Sequence, residues 1–159
     1  MRALLAAAVV SALVAPTIST HGIGGAPLGK SRQFYRAHFA TPVVLEQLEG
    51  GLMRLTFPKL RLQVYFKRDG VGAIGILTWN KTFHTAKGIG PCSSLADLRR
   101  AYGSQLKPFR FAGTIAAYRL GNLWFTTKAG QTVGVVELAG KGLTVFSALN
   151  ALRCGDAGA

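Results

Sequence analysis

Acidic residues are scarce in this chain. Its 159 residues include 6 Asp and Glu against 19 Lys and Arg, which gives a formal net charge of +13. A charge this large favours association with anionic surfaces such as envelope polymers, lipid headgroups or nucleic acid, but it does not choose among them. Glu46 and Glu49 are three residues apart, but we expect them in a solvated loop, so the sequence lacks the usual basis for acid–base catalysis by two carboxyl groups.

Catalytic and metal-binding motifs are also absent. The sequence contains no G-x-S-x-G, no H-E-x-x-H and no P-loop. His38 is most simply a half-buried helix residue. We expect His84 to be more exposed, but its only prospective orienting carboxylates, Asp97 and Glu137, are distant in the sequence. We therefore expect no catalytic residue, no metal and no cofactor.

The amino-terminal apolar run is too short to span a bilayer, which takes about 20 residues. It covers residues 3–15 and follows a single basic residue, Arg2. One basic residue, an apolar centre and small residues after it form the pattern of a secretory signal peptide. We expect residues 1–20 to be a signal peptide cleaved near Ser19 or Thr20, and the mature protein to be secreted or extracytoplasmic. An uncleaved membrane tether or a buried core segment is the alternative.

Cysteine is limited to Cys92 and Cys154. In an oxidising compartment a lone pair of cysteines usually forms a disulfide, and closing a loop this long contributes about 4 kcal/mol to stability. A metal site is the competing interpretation, but His84 is the only nearby histidine and the sequence has no C-x-x-C pattern. We therefore predict a disulfide between the two cysteines.

Two stretches of the chain resemble each other. Residues 24–38 align with residues 88–102 at a constant offset of 64, and residues 64–70 align with residues 124–130 at an offset of 60. Duplicated units of this kind usually bury a shared core and offer a composite binding surface. The expected divisions are a first repeat over residues 21–80, a second repeat over residues 81–155 and a flexible tail over residues 156–159.

Each repeat begins with a helix pattern and continues with strand patterns. Ser94 and Asp97 form an S-x-x-D capping box, and apolar residues at helical spacing follow it. Ser31 could cap the corresponding helix of the first copy. After each helix, apolar residues recur at every second position, and Asp69-Gly70 is a strong hairpin signal. The patterns predict at least three antiparallel strands in each copy.

The second copy carries a family resemblance in three segments. These are G-I-G-P-C-S-S-L at residues 88–95, R-A-Y-G at residues 100–103 and V-G-V-V at residues 133–136. They resemble the repeat unit of secreted bacterial proteins of the beta-lactamase inhibitor protein type, and are similar to the small domain of outer-membrane assembly lipoproteins. The resemblance covers about residues 22–138. It implies an α+β fold of two tandem helix-plus-antiparallel-meander repeats that form one continuous sheet with helices on one face, the other face being used for protein binding.

The chain also departs from that family. The inhibitor type looks like a protein with a disulfide in each repeat, whereas the first copy here contains no cysteine. Its inhibitory hairpin presents an acidic residue to an enzyme pocket, and Asp69 occupies a comparable hairpin tip. Asp-Gly is also the pair that tight hairpins prefer, so we expect a turn role for Asp69 and carry over no inhibitory activity.

Candidate binding residues belong to the sheet face that points away from the helices. If the apolar residues of segment 60–66 face the helices, the opposite face carries Arg54, Arg61, Tyr65 and Lys67. Phe125 occupies an equivalent position in the second copy. Basic side chains interleaved with an aromatic ring can hold an anionic polymer or a protein partner. An ordinary solvated sheet face is the alternative.

Three functional hypotheses stay open. The first is a secreted, non-enzymatic binding module that engages a secreted or envelope protein through its open sheet face. The second is a basic envelope-associated protein that binds anionic polymer or lipid headgroups. The third is a small hydrolase of unknown chemistry. Export makes nucleic acid the least expected partner.

Overall fold

The computed structural model of this chain describes residues 17–128 and 131–140. The predictions for the apolar run 3–15, for Cys154 and for the tail 156–159 lie outside these described residues. In chain order, the helices and strands are β1 (Thr17–Ile18), β2 (Gly22–Ile23), β3 (Ala26–Pro27), α1 (Arg32–Phe39), β4 (Val44–Gln47), β5 (Met53–Phe57), β6 (Leu62–Phe66), β7 (Ala73–Thr78), β8 (His84–Thr85), α2 (Leu95–Tyr102), β9 (Lys107–Phe111), β10 (Thr114–Leu120), β11 (Leu123–Lys128) and β12 (Thr132–Ala139).

Eight of these strands form one large sheet. Its order is β4-β5-β6-β7-β12-β11-β10-β9, and every neighbouring pair in it is antiparallel. The two halves of the chain meet at the centre, where β7 pairs with β12 and Ile76 lies opposite Leu138. Strands β4 and β9 are therefore the two opposite edges of the sheet.

Strand alternation separates a core face from an outer face on the large sheet. The core face carries Phe66 and Phe125, which are fully buried in the main apolar cluster, and the outer face carries Tyr65. Helix α1 packs on the core face through Tyr35, whose ring centroid lies 5.8 Å from that of Phe66. In α2, the ring of Tyr102 lies 6.1 Å from that of Phe125. Aromatic contacts thus connect both helices to the main core.

The helix cap predicted at Ser94 is confirmed. Its Oγ accepts a hydrogen bond from the Asp97 N–H at 3.0 Å and donates to the Asp97 carboxylate at 2.7 Å. Ser31 caps α1 in the same way by accepting from the Phe34 N–H at 3.3 Å. Each cap satisfies one of the N–H groups that a helix leaves unpaired at its start.

The prediction of an α+β fold with two tandem repeats and helices on one face of one continuous sheet is wrong. The described part of the chain is mostly β, because it contains two helices of 8 residues each and twelve strands that form two sheets. Both helices end after about two turns. Helix α1 ends where Ala40 adopts a left-handed φ of 42°, and α2 ends at Gly103, whose φ is 49°. Helical spacing in the sequence shows that a helix forms, but not how little of the fold it occupies.

A small second sheet includes residues from the predicted signal peptide. Its order is β3-β2-β1-β8, and β1 runs parallel to β8. Ile18 in β1 lies opposite Ile23 and is 3% exposed. Cleavage near Ser19 or Thr20 would remove β1 and the burial of Ile18, a contribution of about 2 kcal/mol.

Candidate functional site

The five predicted binding residues do not share one surface. Phe125 is fully buried on the core face, and Tyr65 is fully buried on the outer face. Arg61 precedes β6 with a left-handed φ of 52°, and Lys67 is exposed just after the same strand. Arg54 and Tyr65 lie opposite each other on β5 and β6.

Arg54 is already engaged by a carboxylate. Its Nε donates to Glu46 Oε2 at 2.9 Å, and its Nη2 donates to Glu46 Oε1 at 3.0 Å. Hydrogen bonding to Arg54 holds the pKa of Glu46 below its ordinary value. This two-point pairing is the strong form of an arginine–carboxylate contact. The charge of Arg54 is therefore balanced by Glu46 within the protein, so Arg54 is a poor anchor for an external anion.

The centre of the outer face is buried. Tyr65, Leu77 and Val135 have no exposed surface and form a second apolar cluster. Glu137, on the central strand β12, is also fully buried. The centre of the outer face is therefore not exposed, whereas an open sheet face was expected there.

Glu137 is the one buried carboxyl group among the described residues. It lies opposite Trp124 on β11 and Leu77 on β7. Neither of its carboxyl oxygens has a hydrogen-bond partner, and burial raises its pKa to about 7. Removal from water disfavours the ionised form of an unpaired carboxyl group, so Glu137 stays protonated in mildly acidic solution.

A basic aromatic surface lies on the outer face of β9, β10 and β11. We define it by Lys107, Phe109, Arg119 and Trp124. Arg119 lies between Lys107 and Trp124 in the strand register, and its guanidinium carbon is 5.3 Å from the Trp124 ring centroid. The Phe109 ring is 5.6 Å from the Trp124 ring at an interplanar angle of 82°. The two cations are exposed and the two rings are half-buried, so charge and aromatic area are presented together.

Local turns and strand alternation produce this arrangement. Strands β9 and β10 are joined through Ala112 and Gly113, which have φ values of 47° and 82°. The next turn contains Gly121 with a φ of 61°, and its carbonyl accepts a hydrogen bond from Arg119 Nε at 2.7 Å. That bond orients the guanidinium beside the Trp124 ring. Because β9 is an edge strand, the surface also remains accessible from the side of the sheet.

The charges carried by β9, β10 and β11 are all positive, and the Glu137 carboxyl group opposite Trp124 is fully buried. Residues 103–128 contain four basic residues and no acidic residue. The guanidinium of Arg119 therefore has no carboxylate in its own hairpin, in contrast to that of Arg54. An exposed guanidinium stacked on tryptophan keeps its charge available to an anion, while the rings supply the apolar contact area that stabilises protein interfaces.

The predicted binding residues did not include Trp124. The predicted residue in β11 was Phe125, which is buried, whereas the neighbouring Trp124 lies on the outer face. Two features of the sequence indicate this surface. Lys107 and Phe109 are two positions apart in β9, and a turn places Arg119 opposite Trp124. Strand alternation gives two possible faces, and only the packing of the core shows which of them is outside.

Two of the histidines contact neighbouring groups of the fold. The ring of His38 stacks on Phe34 with centroids 5.3 Å apart, and His84 Nδ1 is 3.0 Å from the carbonyl oxygen of Thr82. Within residues 17–128 and 131–140, no three His, Cys, Asp or Glu side chains are placed so that they could hold a metal ion. Across the same residues, no helix has both the length and the apolar character needed to cross a membrane.

The predicted disulfide involves one described residue. Cys92 precedes α2, and its N–H donates to the carbonyl oxygen of Val133 at 2.9 Å. This bond connects the start of α2 to β12. Its expected partner, Cys154, lies outside the described residues, so the disulfide stays a prediction.

Comparisons with known proteins give no relative from which a function could be transferred. No protein-family model matches the chain, and searches of curated proteins and of solved structures find no significant similarity.

Proposed function

We propose that this protein is an exported, non-enzymatic binding protein that holds an acidic protein partner on the basic aromatic surface. The observation that carries the proposal is the exposed Arg119 guanidinium beside the Trp124 ring, with Lys107 directly opposite it in the register. No carboxylate in residues 103–128 neutralises these cations. The cations attract and orient an acidic surface, and the rings give the complex an apolar contact.

The aromatic rings favour a protein over a simple polyanion. Tryptophan and arginine are enriched among the residues that contribute most to protein–protein binding, whereas binding to a polyanion needs little more than clustered charge. Phe111, the next outward residue on the edge strand, is 50% exposed and extends the apolar area. The partner we propose presents carboxylates around an apolar patch.

The overall charge supports a second candidate function. A formal net charge of +13 would hold the protein on anionic envelope polymer or lipid headgroups without a defined site. Salt separates the two functions, because the screening length falls to about 3 Å at about 1 M salt. Contacts that depend on the rings persist under conditions that release contacts made by charge alone.

The test compares two double variants with the same change in charge. Lys107→Gln with Arg119→Gln alters the basic aromatic surface, and Lys59→Gln with Lys81→Gln removes two exposed lysines elsewhere. Fluorescein-labelled poly-L-glutamate is the acidic polypeptide probe, and polyphosphate is the polyanion probe. We expect the first double variant to bind poly-L-glutamate about tenfold more weakly than the second. Equal losses in the two variants would overturn the proposed site.

The salt series decides between the two candidate functions. We expect wild-type protein to retain measurable binding of a random copolymer of L-glutamate and L-tyrosine at a salt concentration that releases polyphosphate, because the tyrosine side chains can contact the rings. Complete release of both probes together, with polyphosphate bound more tightly at low salt, would favour the polyanion function over a protein partner. Circular dichroism of each variant confirms that it is folded.

Export is also part of the proposal. It is supported by the apolar run at residues 3–15 after Arg2. Because Ile18 is buried in β1, we propose that processing leaves β1 in the mature protein, so the cut precedes Thr17. Amino-terminal sequencing of the protein recovered outside the producing cell tests this, and a mature chain that begins after Thr20 would contradict it.

A further inference from the structure

An open cavity lies between α1 and the strands at one edge of the large sheet. Its volume is about 750 Å³, which falls within the usual range for small-molecule sites. The basic aromatic surface is at the opposite edge of the sheet, since β4 and β9 are its two outermost strands. The residues that line the cavity are Ser31, Arg32, Gln33, Arg36, Ala37, Leu45, Leu55 and Gly70.

The cavity has one basic wall and one apolar wall. Arg32 and Arg36 are four residues apart on α1, a spacing that places both on one side of a helix. Facing them are Leu55, which is 1% exposed, and Leu45, which is 47% exposed. A leucine on an edge strand with about half of its surface in water is an apolar contact that the fold itself does not bury.

Arg32 is held in position, and no described carboxylate pairs with it. Its Nη1 donates to Met53 Sδ at 3.4 Å, and thioether sulfur is a weak acceptor. A Cβ at Gly70 would lie 2.5 Å from Arg32 Nε and 3.0 Å from its Cζ, so the guanidinium packs against the turn where only glycine leaves room for it. The surrounding residues therefore hold the guanidinium in place, and within the described part of the chain most of its N–H donors have no acceptor.

The nearby acidic residue has a different role. Asp69 Oδ1 accepts a hydrogen bond from the Val71 N–H at 3.2 Å, which agrees with the turn role expected for it. The ion pairs found between described side chains are Arg54–Glu46 and Arg100–Asp97, and neither involves an arginine of the cavity. The start of α1 is already capped by Ser31, so the positive character of the cavity comes from the two arginine side chains.

We propose that this cavity binds a small molecule in which one oxyanion, a carboxylate or a phosphate, is joined to an apolar body. The oxyanion pairs with the guanidinium of Arg32, whose fork matches two oxygens at once, and Arg36 adds a second cation. The apolar body lies against Leu45 and Leu55. Binding of this ligand is independent of the protein partner proposed above, because the two sites are at opposite edges of the sheet.

Titration calorimetry with five probes tests the chemistry of the ligand. Octanoate and octyl phosphate carry both the head and the apolar body, acetate and inorganic phosphate carry only the head, and octanol carries only the body. We expect at least one of the two amphiphilic probes to bind about tenfold more tightly than any of the three partial probes. The tighter of the two identifies the head group. Octanol binding as tightly as octanoate and octyl phosphate would overturn the role of the arginines.

Variants locate the site. Arg32→Gln should weaken binding of the better probe about tenfold, whereas Arg110→Gln, an equal change in charge on β9, should leave it unchanged. Ala37→Phe fills the cavity with its ring and should abolish binding while both arginines remain, which also covers the case in which Arg32→Gln fails to fold. The Lys107→Gln, Arg119→Gln double variant should bind the probe normally. Equal affinity in Arg32→Gln and wild type, or unaltered binding in Ala37→Phe, would overturn the proposal.

Discussion

The buried carboxyl group of Glu137 gives the protein a pH-dependent stability of defined sign. Its ordinary pKa of 4.5 rises to about 7 in the folded chain because burial disfavours the ionised form. Below pH 4.5 the group is protonated in both the folded and the unfolded chain. Between pH 4.5 and about pH 7 only the unfolded chain releases the proton, so the free energy of unfolding falls as the pH rises. Above that interval both states are ionised and this dependence ends.

The size of the effect follows from the two pKa values. One pKa unit corresponds to about 1.4 kcal/mol, so the rise from 4.5 to about 7 lowers the stability at pH 8 by about 3 kcal/mol relative to pH 4. Glu137→Gln removes the ionisation and keeps the shape of the side chain. We expect the variant to match wild type near pH 4 and to be about 3 kcal/mol more stable near pH 8.

Urea unfolding followed by tryptophan fluorescence between about pH 4 and pH 9 measures this difference. Every other residue is the same in the two proteins, so the difference between wild type and Glu137→Gln isolates the carboxyl group. Glu46→Gln is a control of opposite sign, because pairing with Arg54 lowers the pKa of Glu46. It should destabilise the protein at neutral pH and lose its effect as the pH falls. Parallel pH profiles for wild type and Glu137→Gln would refute the reasoning.

Two further predictions concern local structure. Ser94→Ala removes the hydrogen bond to the Asp97 N–H, which is 3.0 Å long, and should lower the free energy of unfolding in urea by about 1 kcal/mol; an unchanged value would show that the cap does not contribute. Gly90→Ala would place a Cβ 2.0 Å from the carbonyl oxygen of Phe83, so backbone must move, and we expect a loss of about 1–3 kcal/mol. Thermal unfolding measures that loss, and an unaltered melting temperature would contradict it.

Features that depend on a few neighbouring residues could be predicted from the sequence. The cap at Ser94, the turn at Asp69-Gly70 and the alternation in β6 depend on hydrogen bonds and backbone angles within a few positions. The cap and the turn are present in the structure, and β6 has the two faces that alternation predicts, although both are buried: Phe66 lies in the main core and Tyr65 in the second apolar cluster. For the candidate site, the sequence predicted the types of residue, cations interleaved with an aromatic ring, but not their positions.

The class of the fold and the position of the site depend on contacts between distant parts of the chain. Alternation shows that β11 has two faces, but only packing against the main core places Phe125 inside and Trp124 outside. The short helices suggested an α+β fold, because their spacing is visible in the sequence while the joining of β7 to β12 and the small second sheet are not.

The sequence by itself determined the excess of positive charge, the helix starts and the strand alternation, because composition and local hydrogen bonding are properties of neighbouring residues. The tertiary structure alone decided that Glu137 is buried without a partner, that Arg119 lies beside Trp124 and that Arg32 faces a cavity. Burial and pairing depend on which distant segments come into contact, as Ile76 and Leu138 do at the centre of the sheet. Local sequence patterns do not encode such contacts.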